Sequence, residues 1–113
     1  MKEQNHPDQV EENKMGGIGP IYTKHFVTGE SCGAHIRILA QVTLPVGSSL
    51  GVHTHSGERE VYHILSGKAL YQDDEQTYEI AAGDTTVCLD GHSHGISNIG
   101  EEDLVWVAAV IRD

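Results

Sequence analysis

With 113 residues, 38% of them hydrophobic, the chain has room for one domain and one core. Seven Lys and Arg against 17 Asp and Glu leave a formal charge of −10, which argues against a nucleic-acid partner, since phosphate binding draws on clustered cationic side chains. No apolar run reaches the roughly 20 residues that cross a bilayer, and MKEQNHPDQVEENK lacks the apolar stretch of a signal peptide, so no membrane partner and a cytoplasmic location are expected.

Thirteen Gly punctuate runs rich in Val, Ile, Leu and Thr, a pattern that predicts short strands joined by tight turns, hence an all-β chain. Residues 1–17 are polar and aperiodic and are expected to form a flexible or strand-exchanging arm, with the folded domain running over 18–113. Strands are predicted over 21–27 and 34–44. In the second, Ile36, Ile38, Ala40, Val42 and Leu44 alternate with His35, Arg37, Leu39, Gln41 and Thr43. In a closed barrel the polar face could line a wet cavity, making Arg37 and Gln41 ligand-facing candidates.

After the Pro45-Val46-Gly47 turn come a short strand carrying His53-Thr54-His55, the loop SGER expected as a hairpin, and a strand from Glu60 to Leu65. DDEQ reads as a second hairpin turn. Further turns fall at Ala82-Gly83-Asp84, Asp90-Gly91 and Gly100-Glu101-Glu102-Asp103, and Leu104 to Ile111 is apolar enough to be buried on both faces. Nine or ten strands and no substantial helix result. Cys32 and Cys88 form no CxxC pair and are read as free thiols.

Eight His in an acidic chain direct attention to metal binding. Residues two apart in a strand share a face, so His53 and His55 project together; Glu60 can face the same cavity, and His94, after the turn DGHSHG, could supply a third nitrogen. Three imidazoles and one carboxylate suit Mn, Fe, Co, Ni, Cu or Zn rather than calcium or magnesium. Four protein ligands on an octahedral ion would leave about two positions for water, substrate or dioxygen.

From Gly47 to Gly67, GSSLGVHTHSGEREVYHILSG matches every fixed position of the first motif of the cupin family, and from Gly83 to Asn98, GDTTVCLDGHSHGISN resembles the second through Gly83, Gly91, His94 and Asn98. Leu89 stands where the family commonly has proline, which loosens a turn and removes no ligand. The resemblance implies a single double-stranded β-helix (jelly-roll) barrel over 18–113, with one divalent transition metal, Mn or Fe by preference, on His53, His55, Glu60 and His94.

Cupins host many chemistries, so the resemblance leaves the reaction open. The leading expectation is a metal-dependent enzyme acting on a small oxygen-rich metabolite, a carboxylate or sugar derivative, with a lean to dioxygenase or decarboxylase-like chemistry. A sugar isomerase or epimerase and a non-catalytic metabolite-binding module are the alternatives. Candidates to act on the ligand are Tyr71, Arg37, Gln41 and His92. An open sheet edge needs covering, so a homodimer is expected. Because bound imidazoles must be neutral, metal affinity should fall below about pH 6; a metal titration unchanged at pH 5 would rule out this ligand set.

Overall fold

The computed structural model describes all 113 residues. Its strands are β1 Gln9–Glu12, β2 Pro20–His25, β3 Ile36–Leu44, β4 Ser49–Thr54, β5 Glu58–Ser66, β6 Lys68–Asp73, β7 Gln76–Ala81, β8 Thr85–Cys88, β9 Ser93–Asn98 and β10 Leu104–Arg112. Two short 3-10 turns, Lys14–Gly16 and Gly29–Cys32, are the only helical segments. The strands form two antiparallel sheets, one in the order β1-β2-β3-β10-β5-β8 and the other in the order β4-β9-β6-β7. No helix is long and apolar enough to cross a membrane.

The connections define a jelly roll. From β4 onward each turn carries the chain to the opposite sheet, except between β6 and β7, where Asp74-Glu75 closes the expected hairpin with Asp74 at φ 52°. The segment SGER is therefore not a hairpin: β4 pairs with β9 while β5 pairs with β10 and β8. The loop crosses between sheets, which lets the residues on either side of it converge from two walls. Gly67 makes the next crossing at φ 93°, and a Cβ there would stand 2.9 Å from the Asp103 carbonyl oxygen and from Leu104 Cα.

The inner faces of the sheets meet over Leu44, Tyr62, Ile64, Tyr71, Ile96, Leu104 and Trp106, all fully buried. β10 lies between β3 and β5 and alternates strictly: Leu104, Trp106, Ala108 and Val110 point into the core, whereas Val105, Val107 and Ala109 are half-buried. Burial on both faces does not occur: the outward residues of β10 stay half-buried. Asn98 locks the far end: its amide donates to the carbonyls of Leu44 (2.9 Å) and Glu102 (2.8 Å), and its oxygen accepts from Gly100 N–H (2.9 Å).

Part of the N-terminal segment is ordered as a hairpin on its own barrel, β1 pairing with β2 from Gln9–Thr23 to Glu12–Pro20. The Lys14–Gly16 turn between them reaches the other sheet, where Ile18 and Ser49 exchange backbone hydrogen bonds. The approach is so close that a Cβ on Gly51 would lie 1.8 Å from the Met15 carbonyl oxygen, and one on Gly17 would lie 2.1 Å from that of Ser49. Both neighbours are backbone and have no side-chain freedom with which to yield. Gly51→Ala should accordingly displace this turn and lower the unfolding free energy by about 1–3 kcal/mol; an unchanged denaturation midpoint would refute the contact.

Candidate metal centre

His53 reaches the barrel interior through an irregularity. In the β4–β9 ladder Leu50 opposes Ile96 and His53 opposes His94, so Gly51 and Val52 together face the single residue Gly95. This bulge resets the alternation and turns Leu50 and His53, three residues apart, toward one cavity. His55 lies one residue beyond the end of β4, held by backbone hydrogen bonds to His92 and Gly91. Glu60 enters from the opposite sheet on β5, and His94 from β9.

The side chains of His53, His55, Glu60 and His94 converge, each offering one ligand atom, with all four atoms within 4.8 Å of one another. Glu60 Oε1 stands 2.9 Å from the Nε2 atoms of His55 and His94 and 3.8 Å from that of His53. His55, Glu60 and His94 are buried; His53 is partly exposed and forms the open side.

Each imidazole is oriented by what its Nδ1 touches. His53 Nδ1 donates to the Gly51 carbonyl at 2.8 Å, and His55 Nδ1 donates to Glu58 Oε2 at 2.6 Å. Both partners only accept, so both rings carry the Nδ1 proton, and when neutral they turn a bare Nε2 lone pair to the centre. His94 Nδ1 meets the Tyr71 hydroxyl at 2.7 Å. That hydroxyl either donates or accepts, so it serves either tautomer of His94. Tyr62 stacks on the same ring at 4.8 Å between centroids.

Burial alone would raise the carboxyl pKa of Glu60, but the imidazoles of His53, His55 and His94 around it outweigh that and hold the group well below the usual range. His55 is raised by its hydrogen bond to Glu60, whereas His94 is lowered by its burial. Bare nitrogen lone pairs and a carboxylate oxygen crowded into one buried spot repel one another without a positive charge between them. The donor set of three nitrogens and one oxygen fits a divalent transition metal.

The cavity beside these groups has a volume of about 280 Å³. Lys14, Met15, Arg37 and Glu58 border it together with His53, and its inner wall is apolar, built from Ile38, Val42, Leu50 and Trp106. The lining of β3 is thus its apolar face, not the polar one, and Gln41 points outward, opposite Val107 and Lys24. Arg37 shares the polar parity yet borders the cavity, because the β3–β10 ladder steps from Ile38–Val110 to Ile36–Ile111 and leaves Arg37 as the extra residue of a bulge. Tyr71 sits behind His94, outside the cavity lining, and His92 is exposed and bonded to Asp74.

Sequence reasoning did not single out Glu58, Lys14 or Met15. Glu58 was legible in principle: it lies two residues before Glu60 and shares its face once β5 is started at Glu58. Lys14 and Met15 arrive from a turn whose docking no local pattern announces.

The fold is a double-stranded β-helix whose four converging side chains are suited to hold a metal ion, and comparison with known proteins agrees on the fold: residues 40–110 match the family model described as a cupin domain. The chain belongs to the cupin family. It is 37% identical over 105 residues, 93% of this chain and 86% of the other, to an oxalate-binding protein of Thermotoga maritima. A crystal structure described as a predicted oxalate decarboxylase from Thermotoga maritima superposes with a TM-score of 0.94 at 34% identity, each chain covered completely. A proposed sugar phosphate isomerase from Acidithiobacillus ferrooxidans gives a TM-score of 0.71 at 28% identity, over 83% of this chain and 60% of that one.

Since Tyr71 is the sole side-chain partner of His94 Nδ1, Tyr71→Phe should free that ring and weaken divalent-metal affinity by about tenfold or more. Calorimetric titration with Mn(II) measures this, and equal affinities in the two proteins would show that the hydroxyl does not orient the ligand.

Proposed function

We propose that His53, His55, Glu60 and His94 hold one divalent transition metal, Mn or Fe by preference with Ni, Zn, Co or Cu as other fits, and that the protein acts on a small carboxylate that chelates it through two oxygens. The observation that carries this reading is the convergence of the inward nitrogens on Glu60 Oε1, next to a cavity that reaches three of the four groups. The likeness to a protein that binds oxalate supports a carboxylate as the ligand.

When bound, the metal supplies a Lewis acid for a chelated carboxylate or a redox centre for oxidative or decarboxylating chemistry. The chain supplies orientation and shelter. Arg37, at the cavity border, is placed to meet a carboxylate oxygen, and the apolar wall of Val42, Leu50 and Trp106 limits water around the reacting group. Tyr71 acts through His94 rather than on the ligand, His92 lies away from the cavity, and Gln41 faces outward.

Two other readings each have an observation in their favour. A non-catalytic binding role agrees with the relative named for oxalate binding, and a sugar isomerase role agrees with the 28% identical neighbour. The half-buried apolar row Val105, Val107 and Ala109 on the outer face of the six-stranded sheet supports a homodimer, and the free thiols of Cys32 and Cys88 agree with a cytoplasmic location.

Protein purified without a histidine tag and loaded with Mn(II) should contain one ion per chain, lose it on His94→Ala, and bind oxalate only when loaded. Release of carbon dioxide or uptake of oxygen then separates an enzyme from a binding module. A wild-type protein that takes up none of these metals overturns the proposal.

A further inference from the structure

The three Nδ1 partners differ in one respect: Gly51 and Tyr71 are neutral, and Glu58 is the charged one. Glu58 is itself shared. Its Oε1 accepts from Arg37 Nε at 2.7 Å, its Oε2 accepts from Arg37 Nη2 at 2.8 Å, and that same Oε2 accepts from His55 Nδ1 at 2.6 Å. The carboxylate is mostly buried, its side chain 13% exposed, whereas Arg37 is 42% exposed at the cavity border. A chain of contacts thus runs from solvent through Arg37 and Glu58 to an inward-facing imidazole.

Resting on the metal reading above, we infer that Glu58 is a positioning residue that sets how strongly His55 holds the ion, and that Arg37 moderates it by drawing charge from the carboxylate. A hydrogen bond to a carboxylate is stronger than one to a neutral acceptor and makes the opposite ring nitrogen a better donor to a cation. Arg37 competes for the same two oxygens. An anion that engages Arg37 therefore leaves Glu58 freer to act on His55, and by linkage each of the two binding events favours the other.

The test is a double-mutant cycle read as Mn(II) affinity, with Glu58→Gln, Arg37→Met and the pair. Glu58→Gln should weaken binding by about tenfold or more. Arg37→Met should raise affinity above the wild-type value, and the gain should vanish in the Glu58→Gln background; an affinity that Arg37→Met leaves unchanged overturns the part given to Arg37. Wild-type affinity in Glu58→Gln, an equal loss in both single variants, or the same gain from Arg37→Met in both backgrounds overturns the inference; the last would mean a direct field from Arg37 on the ion. Equal melting temperatures of the metal-free proteins separate positioning from a loss of fold.

Should Glu58→Gln not fold, nitrogen-15 spectra of the metal-free wild-type protein decide: neutral His55 must carry its proton on Nδ1, and the Nε2–H tautomer overturns the inference. A wild-type protein that binds no metal fails the functional reading itself. Normal wild-type binding with an indifferent Glu58→Gln fails this inference alone.

Discussion

The whole site is organised around one oxygen. Glu60 Oε1 is the point on which the inward nitrogens of His55 and His94 close to 2.9 Å, with that of His53 at 3.8 Å, inside a region from which three of the four side chains have lost their water. Electron pairs brought together in this way repel, and a low-dielectric interior magnifies the repulsion. The arrangement is stable only with positive charge at its centre, as protons on the imidazoles or as a cation. The depressed carboxyl of Glu60 and the raised imidazole of His55 are the proton version of the same requirement.

Bringing four groups to one spot from a chain this short requires two sheets. A single hairpin would have placed Glu60 beside the histidines on one surface, open to solvent. Because the SGER segment crosses instead, His53 and His94 come from one wall and Glu60 from the other, and the cluster falls between the layers, where Tyr62 and Tyr71 pack against His94. Outward hydrogen bonds at all three rings then fix their rotation, so the cluster is preorganised by backbone, tyrosine and carboxylate partners that lie outside it.

Much of this was readable in the residues. Spacing within GSSLGVHTHSGEREVYHILSG and GDTTVCLDGHSHGISN named all four converging side chains. Alternation does not explain how His53 and Arg37 come to face the cavity, and it left open a polar β3 lining that included Gln41. The bulge at Gly51-Val52 brings His53 inward by a count of three from Leu50, and the bulge at Arg37 turns an outward position to the cavity while Gln41 obeys the rule and points away. A bulge is a long-range event, decided by the partner strand, and a local period cannot foresee it. Sheet membership is equally non-local: the turn chemistry of SGER is compatible with a hairpin and with a crossover, and only the pairing of β4 with β9 decides between them.

The missing side chain at Gly51 links two parts of the molecule that share no ligand. Its bareness admits the Met15 carbonyl, which seats the turn bearing Lys14 and Met15 at the cavity border, while its own carbonyl anchors His53. Entrance and histidine cluster are thereby mounted on one residue of backbone. Proteins carrying the same four ligands but a different sequence over the first sixteen positions would differ in what they admit before they differed in what they coordinate, so selectivity in such barrels can drift while the metal chemistry stays put.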